Sequence, residues 1–391
     1  MMSTSTITFF PVDNGSMALL KLNDENNTTL LIDMRVRETT DNGNDDVFDV
    51  SSYLRNQLNE DINVRPYIDA FILTHNDDDH IKGIQEHFHL GDPEDYKEPN
   101  DEEESKIIMK EAWCSHRFWK RSSNSNKLCD DAKAFNKEMK RRVTLFEDSK
   151  EIQVEGNRAL IIVKDPEGKT DGLDDIVKDI DTNFSVINNK ELSKKIIVRV
   201  LGPLPQQENE EDEDYNKKNR GSVILHITVI EEDYYNEILL TGDAEVFVWD
   251  CLWNKYKSEA SKLQFDILLA PHHCSWHSLS YDSQSSDENP KVSNDAKSAL
   301  SQAKDGAYII SSSKPINEDD CDPPSIAAKK EYLTIVTEKH FLCTEEYPSE
   351  TKVEPIVIKL TNNGPQLKAK KSTSKLTTAA IASTGEAFPH G

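Results

Sequence analysis

Cysteine is present but never clustered: the six residues at 114, 129, 251, 274, 321 and 343 contain no Cys-x-x-Cys spacing. That argues against a thiolate zinc site and against a disulfide framework, and a reducing cytoplasmic location is expected. No stretch approaches the ~20 apolar residues of a membrane span, so no membrane partner is expected. The Ser/Thr-rich start, Met1 to Phe10, has no basic run, so a standard secretion signal is not expected either. Positive charge is the scarcest property. Against 71 acidic residues stand 46 basic ones, a net charge of −25. Such a chain is not built to coat nucleic-acid phosphates over a broad surface.

What the 391 residues do contain is 36% hydrophobic side chains gathered into short runs. At roughly 150 residues per domain, the length fits one large domain or two smaller ones, with room for a sizeable core. Thr6–Val12, Met17–Leu22, Thr29–Met34 and Tyr67–Leu73 read as strands separated by turn chemistry. Ala159–Val163, Ile196–Leu201, Val223–Ile230, Glu237–Leu240, Phe265–Ala270, Ala307–Ser311 and Pro355–Leu360 continue the series. Phe48–Leu58, Trp249–Tyr256 and Ser325–Leu333 have helical spacing. Residues 92–150 differ in character: Ile107–Ile108, Trp113, Phe118, Trp119 and Lys127–Val143 suggest helices, and the segment is expected to be a helical insertion. The charges at Arg117–Arg121 and Lys137–Arg142 read as a solvated helix face or as a basic rim that steers an anion. Gln206–Lys218 is acidic and polar and is expected to be a flexible loop, and residues 368–391 a mobile tail. Residues 1–367 then form one domain of α/β class, because strands and helices interleave through both halves.

The chemistry lies where strands stop. Tyr67–Leu73 runs into Thr74-His75-Asn76-Asp77-Asp78-Asp79-His80, Glu237–Leu240 into Thr241-Gly242-Asp243, and Phe265–Ala270 into Pro271-His272-His273. Alone, Asp77–Asp79 reads as a helix cap and Thr-Gly-Asp as a turn. Together they place ligand chemistry after three buried strands, whose ends are rigid and converge on a crevice. His75 and Asp77 can face one cation, Asp79 and His80 a second, with Asp243 bridging and His272 completing a sphere. Imidazole with carboxylate suits zinc, manganese or iron, and two ions of zinc or manganese are expected. Two divalent ions about 3.5–4 Å apart would share a hydroxide and clamp both oxygens of a displacement.

These segments resemble the metallo-β-lactamase fold hydrolases. His75-Asn-Asp77-Asp-Asp79-His80 is similar to the His-x-Asp-x-Asp-His motif of the ComEC-like branch. Phe10-Pro-Val-Asp-Asn-Gly-Ser16, Leu30-Leu-Ile-Asp33, Asn219-Arg-Gly-Ser222, Thr-Gly-Asp243 and Pro-His272-His273-Cys-Ser275 are similar to further motifs of that branch. The resemblance spans roughly residues 5–361, apart from the expected insertion near 92–150. It implies an αββα sandwich and a metal set of His75, Asp77, Asp79, His80, Asp243 and His272. It also implies that Asp33 supports the site without ligating. Asp79 and His273 are the catalytic candidates, His273 as an imidazole that stabilises a transition state or protonates a leaving group. His277 is either a second such group or an exposed loop residue.

Three departures stand out. Cys274 replaces the usual glycine, Asp322-Pro323-Pro324 replaces a Gly-His-Pro turn, and an intervening histidine has no counterpart nearer than Asn219. The expected activity is hydrolysis of an anionic phosphoester, nucleic acid included, by a phosphodiesterase or nuclease. Ester, thioester or lactam hydrolysis is a second enzymatic reading. The alternative from another class is a metal-binding interaction module of a multi-protein assembly, such as a defence system, with a protein partner and weak or lost catalysis.

Overall fold

In the computed structural model, which describes residues 4–41, 47–97, 104–119, 127–149, 154–208, 210–284, 289–318 and 322–368, the short apolar runs pair into two large sheets. The first contains β1 (Thr6–Phe9), β2 (Ala18–Lys21), β3 (Thr29–Ile32), β4 (Pro66–Leu73), β5 (Ile107–Ser115), β6 (Arg158–Ile162) and β7 (Val177–Lys178), each beside the next. β1 to β3 are antiparallel, and β3 to β7 parallel. The second sheet repeats this scheme. β8 (Asn183–Phe184), β9 (Ile196–Gly202), β10 (Ile224–Glu231) and β11 (Tyr234–Leu240) are antiparallel. From β11, β12 (Phe265–Leu269), β13 (Ala303–Ser311) and β14 (Phe341–Cys343) continue in parallel. Finally β15 (Ile356–Thr361) and β16 (Gly364–Leu367) return to the open edge of β1.

Side-chain alternation along the strands sorts the core. On β4, Ala70 and Ile72 join Trp113, Ile227, Ile267 and Ile310 in an apolar cluster shared by both sheets. Phe71 and Leu73 face the other way, against Phe135 and Met139 of the helix Asp130–Ser149. On the second sheet Leu239, Leu268 and Ile309 turn outward to Trp249, Leu252, Ala299 and Tyr332 of three further helices. The last two of these helices are capped by Ser293 and Ser325, whose side chains accept from Ala296 and Ala328 N–H. The fold is thus mixed α/β, as interleaving implies. No helix among the described residues is long and apolar enough to cross a membrane.

Two expectations are corrected. Residues 107–115 are not helical: β5 is buried along its whole length and pairs with β4 and β6, so the segment 92–150 supplies an interior strand of the sheet. Lys110, Glu111 and the helix formers around them disguise it. Glu111 accepts from Trp113 Nε1 and Asn188 N, and Lys110 lies over the Tyr67 ring, so both charges are satisfied in the interior. Only the helix after it, Asp130–Ser149, matches the expectation, and there Arg142 is buried against Glu138 instead of solvated. The acidic stretch Gln206–Lys218 is docked. Glu210 takes Arg220 in a paired contact of 2.7 and 2.9 Å, Tyr215 is buried, and Lys218 reaches Asp77. Of the expected tail, 369–391 lies outside the described residues.

One buried strand residue makes stability depend on pH. His226 on β10 is 4% exposed and bonds Gln264 O at 2.8 Å. Burial, aided by Arg199, pushes its imidazole down to about 4. Below about pH 6.5 the unfolded chain binds a proton that the folded chain refuses until about pH 4. Stability is therefore expected to fall by about 3 kcal/mol as pH drops through that window. Urea unfolding of His226→Gln beside the parent should show a shallower decline; parallel declines would remove His226 as the cause.

Candidate metal centre

The C-terminal ends of β3, β4, β11 and β12 meet at one edge. There Val223 N donates to Thr74 O at 2.9 Å, which ties the two sheets together, and His272 N donates to Gly242 O at 3.0 Å between the ends of β12 and β11. Each strand end delivers one part of the site. Asp33 leaves β3 with a left-handed φ of 53°. It accepts from Thr74 N at 2.7 Å and binds His80 Nδ1 at 2.8 Å. Asp77 stands at the N-cap of the short helix Asp78–Ile81, as its sequence position suggests, but its side chain makes no capping hydrogen bond and meets His75 and Lys218 instead. That helix is steadied by the opening turn, where Ser16 N donates to Asp79 O at 3.0 Å. Glycine is required at 15, since a Cβ there would stand 2.8 Å from the same carbonyl.

Asp79, His80, Asp243 and His273 offer four ligand atoms that all lie within 4.8 Å of one another. His80 Nε2 is 3.0 Å from Asp243 Oδ1, and His273 Nε2 is 3.3 Å from Asp79 Oδ2. Both imidazoles are locked from behind. His273 Nδ1 donates to Ser312 O at 3.0 Å, while Asp33 holds His80 Nδ1. Their Nε2 atoms therefore face the centre, the arrangement that metal-ligating histidines require. His75 Nε2, His80 Nε2, His273 Nε2 and Asp243 Oδ1 are all buried without a well-aligned hydrogen bond, and the ion-pair partners they face are one another and Asp77 and Asp79. Buried polar atoms rarely stay unsatisfied, and a cation at their focus would satisfy them.

Electrostatics fit this picture. Burial resists charge on His80, yet Asp243 and Asp33 outweigh it and hold the imidazole well above its usual pKa. Burial likewise pushes Asp243 upward, but His80 and His273 bring it well below the usual carboxylate range. An incoming cation would replace the His80 proton, so binding would release protons.

The remaining expected ligands form a looser flank. His75 Nε2 lies 3.4 Å from Asp77 Oδ2, and Lys218 Nζ sits 2.9 Å from Asp77 Oδ1. His272 Nε2 is 3.9 Å from Asp243 Oδ2, on the face opposite His273. His75, Asp77 and His272 are thus beside the compact group and not in it, whereas His273, expected as a catalytic imidazole, is in it. His277 is outside, with its side chain 46% exposed and Asp322 at 3.8 Å. Asn219 does not take the place of a missing histidine; its amide donates to Glu245 Oε1 at 2.8 Å. Glu245, 3.9 Å from His272 Nδ1, escaped the sequence reading although it follows Asp243 by two positions. A separate trio, Asp41, Glu86 and His87, also has ligand atoms within 4.8 Å and was not anticipated.

The backbone supplies the turn that separates the two histidines. His272, His273 and Cys274 have φ of 48°, 52° and 66°, three consecutive left-handed residues without a glycine. Each costs on the order of 1–2 kcal/mol. Ser275 N–His272 O at 2.9 Å and Ser325 N–Cys274 O at 3.0 Å hold the run in place. The sequence matches no family model and no curated protein.

Proposed function

We propose that this chain is a metal-dependent hydrolase of phosphoester bonds, a phosphodiesterase or nuclease on an αββα sandwich like that of the ComEC-like metallo-β-lactamase hydrolases. The observation that carries the reading is the convergence of buried His80 Nε2, His273 Nε2 and Asp243 Oδ1 on one point, with Asp79 beside them, at the ends of parallel strands. Asp79, His80, Asp243 and His273 would hold one ion; His75, Asp77 and His272, with the second oxygen of Asp243, would hold another. Bound divalent ions, zinc or manganese, supply Lewis-acid activation of water and charge stabilisation of a displacement.

The chain's own residues do the rest. Asp33 and Ser312 O orient the two imidazoles, and Asp243 presents one oxygen to each flank. His272, pushed below its usual pKa by burial, is neutral at pH 7 and free to accept a proton or to ligate. Elemental analysis paired with hydrolysis of a generic phosphodiester in zinc, manganese and magnesium tests the reading. Bound metal with turnover is expected. A protein that binds no ion, or is fully loaded and inert on every ester, overturns it.

One observation favours a second reading. Lys218 seated on Asp77 supplies a positive charge where a second cation would lie. A single-ion site of this kind fits an interaction module of a multi-protein assembly, and full metal without turnover would select it.

A further inference from the structure

On the His75–Asp77 flank a small pocket opens beside the metal centre, lined in part by Thr74, His75, Asp77, Ser115, Arg117 and Lys218. Arg117 enters it from the turn after β5 and is only 7% exposed. Its Nη1 and Nη2 donate to the neutral carbonyls of Lys217 and Tyr215 at 3.0 and 2.8 Å, and its Nε is buried without a partner. Burial lowers the guanidinium to about 10, which leaves it charged at pH 7. The chain makes room for it at one point. A Cβ on Gly221 would fall 2.2 Å from Arg117 Cδ and 2.3 Å from Nε, so any larger residue would displace the side chain. Lys218 is the second cation of the pocket, and Asp77 balances one of the two charges.

Arg117 Cζ also lies 5.3 Å from the centre of the Tyr215 ring, but among the described residues no carboxylate forms an ion pair with it. A buried guanidinium balanced only by carbonyls and a ring face is costly until an anion supplies the compensating charge. We propose that this pocket is an anion subsite in which Arg117 and Lys218 take a phosphate oxygen of the substrate next to the bond held at the metal centre. The inference rests on the phosphoester reading for its substrate, but not for the pocket's affinity for an anion. An overall charge of −25 makes such a local cationic pair the more necessary, because an anionic substrate is otherwise repelled by the surface.

Inorganic phosphate is the probe, titrated calorimetrically into the full-length zinc-loaded protein, with bound zinc counted in each sample. Arg117→Met risks the fold, so Lys218→Met, at a side chain about one-third exposed, and Gly221→Ala, which keeps the charge but displaces the guanidinium, carry the test. Each is expected to weaken phosphate by about tenfold or more, as loss of a charged hydrogen bond does, with zinc content no lower. Equal affinity in parent and both variants, or no phosphate binding by the parent, overturns the subsite. If the protein loads no zinc, the same titration without metal decides by the same criterion. Lys218-dependent phosphate binding with an intact phosphodiester would sink the hydrolase reading and leave the subsite standing. Hydrolysis at an unchanged KM in Lys218→Met would do the reverse.

Discussion

Asp243→Ala is expected to reduce phosphodiester hydrolysis to the level of the buffer blank and to empty the compact ion position. Its Oδ1 faces His80 and His273 while Oδ2 faces His272, so a single truncation removes the carboxylate common to both flanks. The ion-free variant should also melt lower than the ion-free parent. Asp243 is buried between imidazoles that draw it well below the usual carboxylate range, so the ionised group stabilises the fold at neutral pH. That contribution is present above the ordinary carboxylate pKa of about 4 and is lost as pH falls toward the depressed value. Metal content, turnover and melting temperature read the three consequences separately. Activity equal to the parent would refute the role of Asp243 outright.

Asp33→Ala should damage the same site without touching an ion. The side chain is fully buried and serves three donors, Thr74 N, Thr74 Oγ1 and His80 Nδ1. Its loss leaves those donors unpaired and also puts alanine at φ 53°, for an expected cost of roughly 3 kcal/mol. Freed from Asp33, the His80 ring is no longer held with Nε2 inward, and metal affinity should fall about 10–100-fold. Asp33→Asn keeps an acceptor for Thr74 N and tolerates the left-handed backbone, so it should lose metal affinity with less loss of stability. Equal metal affinity in parent and Asp33→Ala, measured by competition with a chelator, would mean that His80 needs no such support.

The parts of this architecture that announce themselves in the sequence are those with uniform surroundings. Strands β4 and β12 and the last three residues of β11 are runs buried on both faces that end in polar ligand residues, and each strand lies within a residue or three of its expected bounds. β5 was hidden because a strand buried on both sides still carries Lys110 and Glu111, and their partners Tyr67, Glu155 and Asn188 are distant in sequence. Gln206–Lys218 read as loose for the same reason: the ion pair Arg220–Glu210, which fastens it, cannot be inferred from acidic composition. Within the site, residue type pointed to His75 through His80, Asp243 and the His272–His273 pair. Which histidine of that pair joins the compact group depends on a left-handed turn. A sequence with His, His and Cys at these positions and no glycine does not advertise such a turn.

That turn also limits what the chain can become. At 272 and 273 the imidazoles occupy a backbone region in which β-branched residues are strongly disfavoured, so few replacements would hold the loop even if ligation were not selected. Cys274 differs. Its side chain is fully buried, and its backbone conformation is one that glycine adopts freely. Glycine is therefore the accessible neighbour in sequence space that relaxes the backbone, at the cost of emptying the thiol's place against Ser325.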